Sequence, residues 1–394
     1  MGVEVIVKKS EKPWTNFGMK IDFGFRRWWM LAGFAAAFLI GDMLLYVREA
    51  RPSSIEFLFG VAGYALAHLF WMVGQFREAR PDGRVFLSVV IPLLIFVLVR
   101  LRPPVLPHAA WSAACAYAML TAVSFATALA TRRVFYIFGI GLLLFSDMMI
   151  GGGMQSASCC NWLIRPTYIA SEMCIFASFI CGDREWRIPV RRLGVFRFAV
   201  VGGVLSFGCF FVAALKYPGG GYNPFMQMLS ALGLVTVNDI VYPSCHFWFI
   251  AGMVLAAVSV SRVWTSLSDL NGGWRRIAIG WGGAVNVAGL LSIALVPFDV
   301  NGDMHNIACN LAVVGGVPIL AARFRKGGDL VWTCYLLALV AFFAICVDVK
   351  SIPFCPWVTA TQKVLVVSFA VWSGWIAWWT DRDSLMGTDP KRGD

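Results

Sequence analysis

Twelve apolar stretches, each long enough to form a helix that crosses a bilayer, succeed one another along this 394-residue chain. They lie near residues 28–47, 55–76, 85–101, 109–130, 134–150, 162–181, 194–215, 246–264, 276–297, 305–322, 329–349 and 358–380. Runs of about 18 or more apolar residues read as membrane-spanning helices. In hydrocarbon every backbone N–H and C=O must be satisfied within the protein, which a helix achieves alone and an open sheet does not. A barrel would show strand-length alternation of apolar and polar residues, and no such pattern recurs. The composition agrees, at 59% hydrophobic and 14% charged; a soluble domain carries roughly a quarter charged residues. The expected fold is therefore all-α, a polytopic integral membrane bundle of about twelve helices in two six-helix halves.

A net charge of +11 would suit a nucleic-acid partner, but its placement reads as topology. With the N-terminus inside, 25 of the 33 lysines and arginines fall in inner segments. Only Arg48, Arg51, Arg100, Arg102, Arg165, Lys216, Lys350 and Lys363 fall outside. The positive-inside rule then selects an even helix number with both termini cytoplasmic. Membrane lipids, and not nucleic acid, are the expected partners. The expected location is a cell membrane, of the bacterial inner-membrane type.

The longest basic stretch between spans, CGDREWRIPVRRLGVFR at 181–197, divides the chain. The expected units are a basic N-terminal segment (1–27), a six-helix domain (28–181), a linker (182–193), a second six-helix domain (194–380) and a tail (381–394). The N-terminal segment lacks the short apolar core of a cleavable leader and is not expected to act as one. No repeat relates the halves, so an inverted-repeat transporter finds no support here. Within the outer connection 216–245, Pro224 to Val235 is amphipathic and is expected as a re-entrant or interfacial helix. Eleven cysteines include no CxxC pair. Cys115, Cys174, Cys181, Cys209 and Cys334 fall in spans as small apolar residues. Cys159, Cys160, Cys245 and Cys355 fall in outer loops, where oxidising surroundings would permit a disulfide.

Ionisable residues within spans are costly, and they are functional candidates for that reason. The first half has Asp42, His68, Asp147 and Glu172. Asp42 and Asp147 sit near the outer ends of two outward-running helices, within roughly 10 Å of the boundary at a rise of about 1.5 Å per residue. Two carboxyls in one low-dielectric cleft cannot both ionise cheaply, so one is expected to hold its proton at neutral pH. An acid beside an anion is the arrangement that cleaves acetal-like bonds. The plainer reading is that these aspartates hydrogen-bond neighbouring helices or line a watery cavity. His68 in GYALAHLFW reads first as an interhelical donor.

GDMLLY (41–46), FLFGVAGYALAHLFW (57–71), GLLLFSDMMIGG (141–152) and RPTYIASEMCIFAS (165–178), in this order and spacing, resemble the YhhN family. These are the lysoplasmalogenases, which include the animal transmembrane protein 86 enzymes, and the resemblance covers about residues 12–181. It implies cleavage of the vinyl-ether bond of a lysoplasmalogen-type lipid to a fatty aldehyde and a glycerophospho-alcohol. It also implies Asp42 and Asp147 as the catalytic pair, with His68, Tyr168 and Glu172 orienting water or binding the headgroup. Neither a metal nor an organic cofactor is required. The site is expected toward the outer, periplasmic or extracellular face. The family has further segments before the GD helix, one opening with a KPLTT-like motif. Lys12–Thr15 resembles it, but NFGMKIDFGFRR after it is expected to be too polar and short to span.

The second half, through NPFMQMLSALG (223–233), Phe247–Gly252 and PFD…HxxA (297–308), weakly resembles the six-helix group called domain of unknown function 998. Asn223, Ser230, His246, Asp299 and His305 form a second candidate polar site beside Asn238, Asp239 and Asp303. A Ser/His/Asp hydrolase or a zinc site is conceivable there, but no HExxH, HxxxH or GxSxG motif supports either. Asn301 to Asp303 is expected to cap the tenth span. Two other classes stand beside the hydrolase reading. A proton-coupled transporter would use the same carboxylates as ion sites. A non-catalytic lipid-binding protein would need neither of them ionised.

Overall fold

The computed structural model describes residues 17–44, 54–75, 79–101, 107–151, 158–181, 194–241, 243–323, 331–340 and 356–385. These residues form twelve α-helices. The first six are α1 (Phe17–Asp42), α2 (Ile55–Gln75), α3 (Gly83–Arg100), α4 (His108–Thr131), α5 (Val134–Gly151) and α6 (Ser158–Cys181). The second six are α7 (Val195–Leu215), α8 (Ser244–Asp269), α9 (Gly273–Leu295), α10 (Gly302–Arg323), α11 (Val331–Val340) and α12 (Pro356–Leu385). Among the described residues, eight helices are long and apolar enough to cross a membrane, and α1, α5 and α11 carry shorter apolar stretches. The chain is a multi-pass membrane protein.

In the first half, α1 packs on α2 and α6, α2 on α4, α4 on α5, and α5 on α6, so these five helices close a ring. Inside it, Phe34 and Phe38 of α1 stack among Tyr64, Trp71, Tyr136 and Ile175. Small residues permit the close crossings: a Cβ at Gly63 would press on the Ala37 carbonyl and Gly41 of α1. The remaining helix, α3, stands outside the ring, between α4 and α9, and joins the two halves. Its Ile95 and Val99 bury against Val296 at the end of α9. In the second half α7, α8, α9 and α10 pack in succession, and α12 lies on α7 and α8.

Several expectations are corrected. The first helix, expected from about residue 28, starts at Phe17, although its apolar stretch begins at Trp29; Lys, Met and Arg continue a helix at little cost. Lys12–Thr15 lies outside the described residues. The last helix runs to Leu385, beyond the expected start of the tail. The run from Pro224 to Val235 is not an α-helix. Asn223 Oδ1 accepts from the Phe225 and Met226 N–H groups, making a turn, and only Leu229–Gly233 closes a 3₁₀ helix. An antiparallel hairpin follows, with Thr236 opposite Val241. Its turn residues, Asn238 and Asp239, both have positive φ (48° and 64°), as a type I′ turn demands. Cys159 and Cys160 belong to the first turn of α6, not to a loop. Cys245 is a buried free thiol at the start of α8, and Cys355 lies outside the described residues.

The seam between the halves carries a polar clamp. Asp82 caps α3 by accepting from the Arg84 N–H at 2.8 Å, and its carboxylate also receives Arg84 Nη2 at 2.8 Å. Arg84 Nη1 then donates to Ser268 Oγ at the end of α8 (3.1 Å), and Ser268 donates to the Arg276 carbonyl of α9. The Arg84 guanidinium beside Asp82 holds its carboxyl below the ordinary aspartate range. A lowered folded-state pKa stabilises above the unfolded value and is lost as pH falls through the folded one. Thermal stability in nanodiscs is therefore expected to fall as pH drops below the ordinary carboxylate range. Arg84→Ala is expected to cost roughly 1 kcal/mol near neutrality, the scale of a partly exposed pair, and to flatten that acid limb. An unchanged acid limb in Arg84→Ala would count against the clamp.

Candidate active site

The candidate site is built at one depth of the first-half ring. Tyr64 lies nine residues into α2, Tyr117 nine into α4 and Tyr168 ten into α6. Each is thus about 14 Å from its helix start at roughly 1.5 Å per residue. Asp42 and Asp147, near the ends of helices that run the opposite way, meet these tyrosines. The carboxylates and the tyrosines therefore share one layer of the ring.

Asp42 ends α1, and the chain passes into a π-turn at residues 43–44, a local widening frequent at functional sites. Its Oδ1 accepts from two phenols, Tyr64 at 2.5 Å and Tyr168 at short range. The two phenol oxygens also lie 2.8 Å apart. Glu172 lies one turn along α6 from Tyr168. Asp147 has a different set of neighbours. Its Oδ2 accepts from Tyr117 at 2.9 Å, and the Tyr117 oxygen stands 3.4 Å from His68 Nε2. His68 Nδ1 lies 3.1 Å from Ser124 Oγ. Because Tyr117 gives its single proton to Asp147, its oxygen can only accept from His68. The imidazole proton then sits on Nε2, and Nδ1 accepts from Ser124.

Asp42 and Asp147 are thus held on separate tyrosines, with no hydrogen bond between them. Asp42 takes its partners from α2 and α6, whereas Asp147 takes its partner from α4. The ring joins the two clusters through α2, which supplies both Tyr64 and His68 one turn apart. Asp42, Asp147 and Glu172 are half-buried. By contrast His68 (3% exposed) and Tyr168 (9%) stand behind the carboxylates as supports.

Residues 14–179 match the YhhN family. The match spans α1 to α6 and stops just short of the end of α6. No curated protein and no solved structure matches the chain. The YhhN-like half contains every residue of the polar layer, and the weaker resemblance of the second half has no family match beside it.

Tyr64, Tyr117 and Ser124 belong to this layer although they are not among the candidates read from sequence. Tyr64 was legible in principle, since it precedes His68 by four positions on one helix face. Tyr117 and Ser124 sit in an alanine-rich span whose only signal is their seven-residue spacing.

The second-half candidates engage backbone groups at one end of the bundle. Among the described residues, no group of His, Cys, Asp or Glu is placed to hold a metal ion. They fasten the connection 216–243 over the bundle end. Asp299 accepts from the Val235 and Thr236 N–H groups at 3.1 and 2.9 Å. His246 Nδ1 donates to the Gly233 carbonyl at 2.8 Å, and His305 Nδ1 to the Val296 carbonyl at 2.7 Å. Asn223 makes the turn described above, and Ser230 lies in the 3₁₀ helix. Asn301 accepts from the Met304 N–H and caps α10, as expected. Each fastening replaces an otherwise unsatisfied backbone group, which explains polar residues at an apolar bundle end. Asp299→Ala strands two N–H donors and is expected to cost about 1–3 kcal/mol, read as faster proteolysis within 216–243 of the folded protein.

Proposed function

We propose that the chain is a membrane-embedded ether hydrolase that cleaves the vinyl-ether bond of a lysoplasmalogen-type lipid. The observation that carries this reading is the pair of half-buried carboxylates at equal depth, each oriented by tyrosine hydroxyls, within the segment that matches the YhhN family. At family level, hydrolase activity fits.

Two phenols donating to one oxygen suit Asp42 to the anion's part. Asp147, with one donor backed by His68, is the group that exchanges a proton. The Asp147 proton goes to the alkene carbon β to the ether oxygen, leaving an oxocarbenium ion that the Asp42 anion stabilises. Water adds to the cationic carbon and returns a proton to Asp147. The resulting hemiacetal breaks its C–O bond to give aldehyde and glycerophospho-alcohol. Glu172, beside Tyr168, is positioned to orient water or headgroup.

The direct test is aldehyde release by purified protein in nanodiscs given vinyl-ether lysophospholipid, with the saturated alkyl-ether analogue as control. Turnover of the vinyl ether alone supports the reading. No aldehyde across several headgroups, from folded protein, would remove it in favour of transport or lipid binding.

A further inference from the structure

The second half holds a partly open cavity of about 290 Å³ between α7, α8, α9, α10, α11 and α12, away from the carboxylates. On α10 its wall runs from His305 through Cys309, Ala312 and Gly316 to Leu320. That stripe is about 22 Å long at a rise of roughly 1.5 Å per residue, most of a hydrocarbon core of about 30 Å. The space is therefore a narrow channel along the bundle axis, apolar nearly throughout. It exists because α10 packs on α9 while α12 packs on α7 and α8, leaving the wedge between α10 and α12.

Two features identify its occupant. First, among the described residues no lysine, arginine, aspartate or glutamate lines it, so an ionic headgroup there would be stranded without a counter-charge. Second, its polarity is concentrated at one end. The deeper polar residues are spent on the protein: Ser206 donates to the Gly252 carbonyl, Ser259 to Leu255 and Ser373 to Phe369. Asn286 bonds Trp264 and the Ala312 carbonyl. At the end under the connection 216–243, Ser230, His305 and Gln362 meet the cavity wall. His305 uses Nδ1 on Val296 and retains Nε2 as an acceptor. Gln362 uses its carbonyl oxygen on the Leu229 N–H and retains its amide donors.

We infer that this channel binds a long-chain amphiphile with an uncharged hydroxyl or carbonyl head, such as a fatty alcohol or aldehyde, tail inward and head at Ser230, His305 and Gln362. The inference does not rest on the first-half chemistry.

The glycines supply a clean test. A Cβ added at Gly203 of α7 or Gly374 of α12 meets nothing within 4 Å, and both glycines line the channel. Phenylalanine at either position is expected to occupy part of the channel. The probe is a hexadecanol bearing a mid-chain photoreactive diazirine, added to full-length protein in phosphatidylcholine nanodiscs and mapped by peptide. The expected result is saturable labelling of α7, α10 and α12, reduced about tenfold or more in Gly203→Phe and Gly374→Phe by loss of the buried apolar contact. Unlabelled hexadecanol and hexadecanal should compete, hexadecane less well, and lysophosphatidylcholine not at all. Labelling that does not saturate, or that is as strong in both filled variants, overturns the inference. Equal competition by hexadecane overturns the assignment of the head, and equal competition by lysophosphatidylcholine overturns its neutrality. The wild-type competition decides these points even if a filled variant fails to fold.

Discussion

Asp147→Asn is expected to lower aldehyde release by about 10²–10⁴-fold, the range of a general acid removed from its reaction, with substrate binding little changed. The amide still accepts from Tyr117, so the Tyr117–His68–Ser124 chain keeps its direction and the ring keeps its packing. What disappears is the transferable proton. Asp42→Asn is expected to cost about 10²–10³-fold, the size of one lost electrostatic contact to a developing charge. Its loss should be felt most by the cation and least by the bound lipid. Tyr117→Phe separates support from chemistry: Asp147 retains its proton but loses its orientation, so activity should fall less than in Asp147→Asn while its pH profile shifts. The measurement is kcat and KM for each variant in nanodiscs, with melting followed in parallel. Loss of binding and activity together, in variants that still fold, would point to an ion or lipid site. Wild-type turnover in both aspartate variants would exclude these carboxylates.

The helices were legible because the membrane leaves hydrophobic run length as an almost sufficient code. For α2, α4 and α5 the expected and observed limits differ by one residue at most. The start of α1 was not legible, because Lys20, Arg26 and Arg27 read as solvent-side residues although nothing in them stops a helix. The hairpin was missed for another reason. A two-residue Asn238–Asp239 turn between apolar pairs is a short-range signal, easily overwritten by the amphipathic run before it. At the site, the carboxylates stood out because charge in hydrocarbon is conspicuous. Their partners did not, because tyrosine near a span is ordinarily an interfacial anchor and serine in a helix ordinarily bonds its own backbone. Which tyrosine serves which aspartate depends on the ring order α1–α2–α4–α5–α6, with α3 excluded, and no local feature encodes that order.

Gly315→Val is expected to be the most destabilising single change in the second half. A Cβ there would overlap the Asn286 backbone of α9 and press on the Gly282 carbonyl, and Gly289 stands in the same relation to Ala312. With lipid as apolar as leucine, helices associate through such close packing, and small residues set the approach. The same crossing carries a buried hydrogen bond from Asn286 Nδ2 to the Ala312 carbonyl, while Asn286 Oδ1 accepts from Trp264 of α8. The two contributions can be ranked. Interhelical hydrogen bonds in membranes average about 0.6 kcal/mol and reach about 1.7. Overpacking costs about 1–3 kcal/mol and more where backbone must move, as it must at Gly315. Gly315→Val should therefore exceed Asn286→Ala by a kcal/mol or more, and Gly208→Ala, whose Cβ meets nothing within 4 Å, should be neutral. Reversible unfolding in mixed micelles gives all three values. If Asn286→Ala proves the more costly, the crossing is held by its polar contact, and the glycines only make room for it.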